Sequence, residues 1–147
     1  MTHEDPTQYI PSPATPDALV VVAAVIVRAG RLMVVSKQAA PEFFYLPGGK
    51  PDPGESPLET LRRELDEELG AGLVAPRFLA EIDSVAVLED LPMRLTVFET
   101  RLDREPVPAA ELAALRWTTG HDGDLRLAPA LTDHILPMLR RSGALAA

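Results

Sequence analysis

The sequence has 147 residues, 46% hydrophobic and 24% charged, with no cysteine and a formal net charge of −8. These values suit one domain with a single adequate core and exclude a disulfide framework, a thiolate nucleophile and a cysteine zinc site. The acidic balance argues against a nucleic-acid polymer as partner, but not against a small polyphosphate, which divalent cations can bridge to an acidic protein.

Residues 1–17 are polar and proline-rich and lack the basic-then-apolar order of a signal peptide. They are expected to form a flexible N-terminal arm, dispensable for chemistry, ahead of a single domain over 18–147. No run approaches the roughly 18 apolar residues of a membrane span, so the expectation is a cytoplasmic protein with no membrane partner. Leu19 to Arg28 and Leu32 to Lys37 are β-branched runs joined by Ala29-Gly30, a hairpin pattern. Gln38 to Glu42 reads as a loop and Phe43 to Leu46 as a short strand. Pro47 to Glu55 holds three glycines and three prolines in nine positions and reads as an irregular loop.

The next segment is sharply bounded. Ser56 before Pro57 suits an N-cap followed by proline at the first helical position, and Glu59 completes a capping box. Leu58, Leu61, Leu65 and Leu69 recur at helical spacing, and Gly70 suits the left-handed position beyond the end. The prediction is a helix over Pro57 to Leu69. Arg77 to Val87 and Met93 to Leu102 read as strands and Leu115 to Thr119 as a short one. Pro129 to Arg141 reads as a C-terminal helix that Pro137 kinks or interrupts. Strands interleaved with two helices predict a mixed α/β or α+β sandwich.

Chemistry concentrates on the first helix. Glu64, Glu67 and Glu68 stand at i, i+3 and i+4, side by side and flanking the leucine stripe. One account is a solvated face with Arg63–Glu67 and Arg62–Asp66 pairs. It leaves Glu64 and Glu68 as an unpaired like-charge couple, costing roughly 0.2–0.5 kcal/mol. The other account is a site for a hard divalent cation such as Mg²⁺, which takes carboxylate oxygens and bridges to phosphate.

From Gly49 to Ala71 the chain reads GKPDPGESPLETLRRELDEELGA, which resembles the Nudix box, G-x5-E-x7-R-E-U-x-E-E-x-G-U with U a bulky aliphatic. Gly49, Glu55, Arg63, Glu64, Leu65, Glu67, Glu68 and Gly70 fall in register. Ala71 is the one departure, small where a larger aliphatic is usual, with Leu73 placed to fill that space. The similarity extends over roughly residues 18 to 140: residues 19–37 resemble the family's first two strands, and Leu46-Pro47-Gly48-Gly49-Lys50 its approach to the loop. Glu111, six residues before Trp117, resembles a late acidic-then-Trp segment.

The resemblance implies a Nudix-type α/β/α sandwich with a mixed β-sheet. It implies a MutT-like Mg²⁺-dependent (or Mn²⁺-dependent) hydrolase of a phosphoanhydride bond in a nucleoside diphosphate linked to X. Glu64, Glu67 and Glu68 would bind the metal, with the Gly48 carbonyl and Glu111 as further ligands, and Glu64 or a glutamate near it would help deprotonate the attacking water. Arg63 would orient the carboxylates by pairing with Glu64 or Glu55. Gly48, Gly49 and Gly54 would let the backbone approach closely, and Lys50 would add positive charge. A nucleoside triphosphate is the leading small-molecule nucleotide substrate, with ADP-ribose or another nucleotide sugar as alternative. A non-catalytic nucleotide sensor is disfavoured because all the box glutamates are present, and an isoprenoid isomerase because there is no cysteine. A homodimer is left open, as family members are often dimers. Phe43, Phe44 and Tyr45 are candidates for one base-stacking residue among core packers, Arg28, Arg31 and Arg94 are secondary phosphate or base candidates, and Trp117 is read as a packing anchor.

Overall fold

The computed structural model describes residues 18–146, and the expected N-terminal arm over 1–17 lies outside the described residues. The first apolar run forms β1 (Leu19–Val25) and a short β2 (Val27–Arg28), which turns into β3 (Arg31–Lys37). At that turn Ala29 and Gly30 are both left-handed (φ 52° and 75°), which is what a two-residue type I′ hairpin requires. Then come β4 (Ala40–Tyr45), β5 (Gly48–Gly49) and α1 (Pro57–Leu69), followed by a long hairpin of β6 (Leu73–Ala86) and β7 (Leu91–Leu102). The chain closes with β8 (Leu112–Thr118), β9 (Arg126–Leu127), a π-helical stretch (Leu131–Ile135) and α2 (Leu136–Arg141).

The strands form two sheets. One has the order β5-β1-β7-β6, with β1 parallel to β7; the other runs β2-β3-β4-β9, with β8 on the far side of β3. Alternation along β1 and β3 creates two apolar faces. Val22, Ala24, Ile26, Met33 and Val35 pack with Leu61, Leu65 and Leu69 of α1. Ala23, Val25, Leu32 and Val34 pack with Leu131, Ile135, Leu136 and Leu139 of the C-terminal helical segment. Helices thus cover both sides of a mixed-sheet core, the α/β/α sandwich expected. Each fully buried leucine contributes roughly 1.5–3 kcal/mol.

Helix α1 has the predicted bounds. Ser56 Oγ accepts from Glu59 N at 3.1 Å, Glu59 Oε1 accepts from Ser56 N at 2.8 Å, and Gly70 ends the helix at φ 64°. Ala71 is buried, and Leu73 packs against the same core. Several element bounds differ from expectation. Residues 48–49 are not irregular, because Gly48 and Gly49 pair with Ala23 and Val22 of β1. The strand expected from Arg77 begins at Leu73, and Pro76 is accommodated where the register slips between Val74 and Arg77, next to left-handed Ala75 (φ 52°); a bulge is where a strand tolerates proline. β4 already begins at Ala40, inside the expected loop. At the C-terminus the expected interruption is present: Pro137 offers no N–H to the preceding turn, and a π-helical stretch precedes α2.

Candidate active site

The short pairing of β5 with β1 brings the Gly48-Gly49 loop against α1. Backbone contacts make Gly48 sterically obligatory, whereas a side chain at Gly49 would displace only the Glu64 carboxylate. A Cβ on Gly48, at φ 151°, would collide with the Val22 carbonyl, and one on Gly49 would overlap the Glu64 carboxylate. Gly48 N donates to Glu68 Oε1 at 3.2 Å, so loop and helix are joined through the glutamate itself.

Arg63 ties the rest of the loop down. Its Nε donates to Glu55 Oε2 at 2.7 Å and its Nη2 to Glu55 Oε1 at 2.9 Å, a bidentate pair of the strong, geometrically specific kind. Nη2 also reaches the Lys50 carbonyl at 3.1 Å, and Nη1 reaches Glu64 Oε1 at 3.1 Å. Asp52 N donates to Glu55 at 2.8 Å, and Thr60 Oγ1 donates to it at 3.1 Å. The Arg63 hydrogen bonds above all hold the Glu55 carboxyl down to about 2. Glu55 is thus a permanent anion that locks Arg63, and Arg63 in turn pulls on Glu64.

The three helix carboxylates are not equivalent. Glu68 is buried, at 4% exposure. Burial, then repulsion from Glu64, pushes its carboxyl up to about 8, against opposing pulls from Gly48 N–H and Lys37. Glu64 is raised as well, chiefly by burial and against the pull of Arg63. Glu67 stands on the rim with its side chain 54% exposed, 3.7 Å from Arg63 Nη1. The Arg63–Glu67 pair is therefore present, while Glu64 and Glu68 remain a crowded, poorly solvated couple.

Glu64 borders a cavity of about 410 Å³ together with Gly48, Gly49, Lys50, Arg63 and Glu111. Glu111 reaches it because Gln38 N donates to its carbonyl at 2.9 Å, and its carboxylate stands 3.7 Å from Lys37 Nζ. Gly48, Gly49, Lys50, Arg63, Glu64 and Glu111 thus border one cleft, Glu55 and Glu68 are hydrogen-bonded to residues of its lining, and Glu67 stands 3.7 Å from Arg63. Lys37, Asp52 and the residues 85–89 also border it, and sequence reasoning missed them. Lys37 becomes visible only through pairing, opposite Ala40 and Leu112 at the strand ends.

Among the aromatic candidates, Phe43 and Tyr45 border the cavity and stack on each other at 6.1 Å between centroids, whereas Phe44 lies in the core. The Tyr45 hydroxyl is buried with no hydrogen-bond partner among the described residues. Arg28 covers Trp117 at 4.6 Å and pairs with Glu105, and Arg94 pairs with Asp83 at 3.1 Å. Both are therefore engaged away from the cleft.

Among the described residues, no three His, Cys, Asp or Glu side chains form a ready-made metal cage. The carboxylates at the cavity wall are Asp52, Glu64, Glu89 and Glu111, with Glu68 joined to the wall through Gly48 N. The profile of the NUDIX domain matches residues 17–139. No curated protein matches the chain in sequence. Among solved structures, a MutT NUDIX hydrolase from Burkholderia pseudomallei is 30% identical over 69% of this chain and 82% of that one, with a TM-score of 0.61. The E. coli ORF135 protein is 26% identical over 90% and 94% of the two chains, with a TM-score of 0.65. A UDP-X diphosphatase is 25% identical over 90% of this chain and 67% of that one, with a TM-score of 0.70.

Proposed function

The chain belongs to the Nudix family and is a pyrophosphohydrolase, and from that premise we propose that it uses Mg²⁺ to hydrolyse a nucleoside diphosphate linked to X, with nucleoside triphosphates as the leading substrates. The observation that carries this reading is the couple of buried Glu68 and half-buried Glu64 against the Gly48-Gly49 loop at the cavity. The hydrogen bonds from Arg63 and Gly48 N satisfy these carboxylates only in part, the two repel each other, and an anionic substrate would only add repulsion.

Mg²⁺ fits this donor set. It is a hard cation that binds one or two carboxylates and keeps its other positions for water and substrate phosphate, without an all-protein cage. Nudix hydrolases generally use divalent metals. Bound at this edge, the metal would supply positive charge to the phosphate oxygens and lower the pKa of a water molecule.

The remaining work belongs to the chain. Glu64, Glu67 and Glu68 would hold the cation, with the Gly48 carbonyl and Glu111 as further oxygen ligands. Arg63, anchored by Glu55, fixes the rotamer of Glu64. Lys37 and Lys50 border the cavity and bring positive charge toward a polyphosphate. One box glutamate, Glu64 or a neighbour, takes the proton as the water oxygen bonds to phosphorus. The bridging P–O bond breaks on the opposite side, and the leaving phosphate departs with the bonding pair. The products are a nucleoside monophosphate and pyrophosphate, or a phosphorylated X.

The likeness to a UDP-X diphosphatase favours nucleotide sugars and ADP-ribose as the second reading. A panel of nucleoside triphosphates, oxidised dGTP, ADP-ribose, UDP-sugars, dinucleoside polyphosphates and NADH, with and without Mg²⁺, tests both, with products separated by chromatography. Release of pyrophosphate from triphosphates supports the first reading and release of a sugar phosphate the second. No turnover of any member with Mg²⁺ or Mn²⁺ refutes the proposal.

A further inference from the structure

Large apolar side chains are exposed together at one place. Val85, Val87, Leu88 and Leu91 are between 37% and 51% exposed, and all lie around the turn that joins β6 to β7, where Asp90 is left-handed (φ 56°). The hairpin stays paired out to Ala86 opposite Leu91, whereas β1 begins its pairing with β7 at Met93. The tip therefore projects beyond the end of β1 as a two-stranded arm. Exposed apolar surface is unfavourable in water, and a contiguous patch usually marks a contact.

The position of the patch says what it contacts. Val85, Val87 and Leu88 border the same cavity as Glu64 and the Gly48-Gly49 loop, and Leu46, Leu95 and Leu131 border it too. One space thus combines charged groups suited to a metal-bridged diphosphate with an aliphatic wall suited to a flat apolar group. Four half-exposed side chains offer roughly 300 Å², well short of the about 800 Å² per partner of a standard protein interface. We infer that the tip of the β6–β7 hairpin, through Val85, Val87 and Leu88, is the wall on which the nucleobase of the substrate packs. This inference rests on the nucleotide reading above and adds where the base is held. An aliphatic wall offers no hydrogen bonds, so it recognises a base as a flat apolar object and separates one base from another only weakly.

The test measures binding, not turnover. Affinities for the four nucleoside 5′-monophosphates and for ribose 5-phosphate are measured by calorimetry on the full chain, wild type and the double variant Val87→Thr/Leu88→Ser. The wild type should bind the nucleotides more tightly than the sugar phosphate. The double variant should lose roughly three- to tenfold of that margin while ribose 5-phosphate binding is unchanged. Leu88→Phe, which enlarges the wall, should keep or widen the margin. Exposed substitutions of this kind alter stability little, and melting temperature controls for folding. The inference is overturned if the wild type shows no margin, if the double variant keeps it, or if its only effect is on self-association in sedimentation. Failure of the hydrolysis panel would leave these affinities readable, so the two claims fail separately.

Discussion

Glu68→Gln separates a metal site from a merely solvated helix face. The side chain is 4% exposed, and burial, ahead of repulsion from Glu64, carries its carboxyl from an ordinary 4.5 to about 8. A carboxyl whose pKa is raised on folding holds its proton more tightly in the native state. Its stabilising contribution is complete below pH 4.5 and is lost as pH rises through 8. At about 1.36 kcal/mol per pH unit, that interval caps the loss at about 5 kcal/mol, and relaxation with water penetration reduces it to about 2–3 kcal/mol. Glutamine has the same shape and still accepts from Gly48 N, but carries no charge. In EDTA, the variant should match the wild type near pH 5 and exceed it by about 2–3 kcal/mol near pH 9 in urea unfolding. With Mg²⁺, its turnover should fall roughly a hundredfold or more and require more metal. Stability without metal and turnover with it then move in opposite directions. Wild-type turnover at unchanged Mg²⁺ dependence, or equal stability at pH 9, would refute the reasoning.

Gly49→Ala places a methyl where the Glu64 carboxylate lies. The helix should stay intact while Glu64 turns away, so hydrolysis should fall at least tenfold with a melting temperature near that of the wild type; undiminished activity would contradict the packing. Arg63→Lys keeps the charge but loses the bidentate hold on Glu55. Roughly 10–100-fold weaker activity is expected, and acid unfolding should shift to higher pH because Glu55 no longer retains its negative charge down to about 2. Because the cation must displace the Glu68 proton, the Mg²⁺ concentration for half-maximal activity should fall as pH rises toward about 8 and level off above it; a flat Mg²⁺ requirement from pH 6 to 8 would exclude Glu68 as a ligand.

Much of this was legible in the residues, for local reasons. Helix α1 is announced by Ser56-Pro57 at one end and Gly70 at the other, so its bounds were readable; the glutamate spacing alone left a solvated face and a cation site both open, and the resemblance to the Nudix box decided between them. What stayed hidden depended on distant pairing. Gly48 and Gly49 carry turn-like composition and become a strand only because β1 lies beside them. Pro76 masks the start of β6, since proline in a strand is readable only when the bulge that tolerates it is known. The same holds within the site. The spacing put Glu67 level with Glu64 and Glu68, but the loop buries Glu68, half-buries Glu64 and leaves Glu67 exposed. The cleft's apolar lip was missed because Val85 to Val87 read as an ordinary strand end and Leu88 lay just beyond it.

The position of β1 also bears on how the protein is made. Its residues are the first of the described chain to leave the ribosome, yet the strand ends up between β5 and β7, paired with residues up to Glu99. The apolar run from Leu19 to Val27 therefore waits, unpartnered on one edge, until about two-thirds of the chain has been synthesised. Closing a parallel pair across that separation is slow relative to local hairpins, and an unpaired apolar edge is prone to aggregation meanwhile. A circular permutant that begins just before β6 and joins the old termini would deliver β7 ahead of β1. The two strands stay as far apart along the chain as before, so refolding should be no faster, while less insoluble material should form during expression than in the natural order.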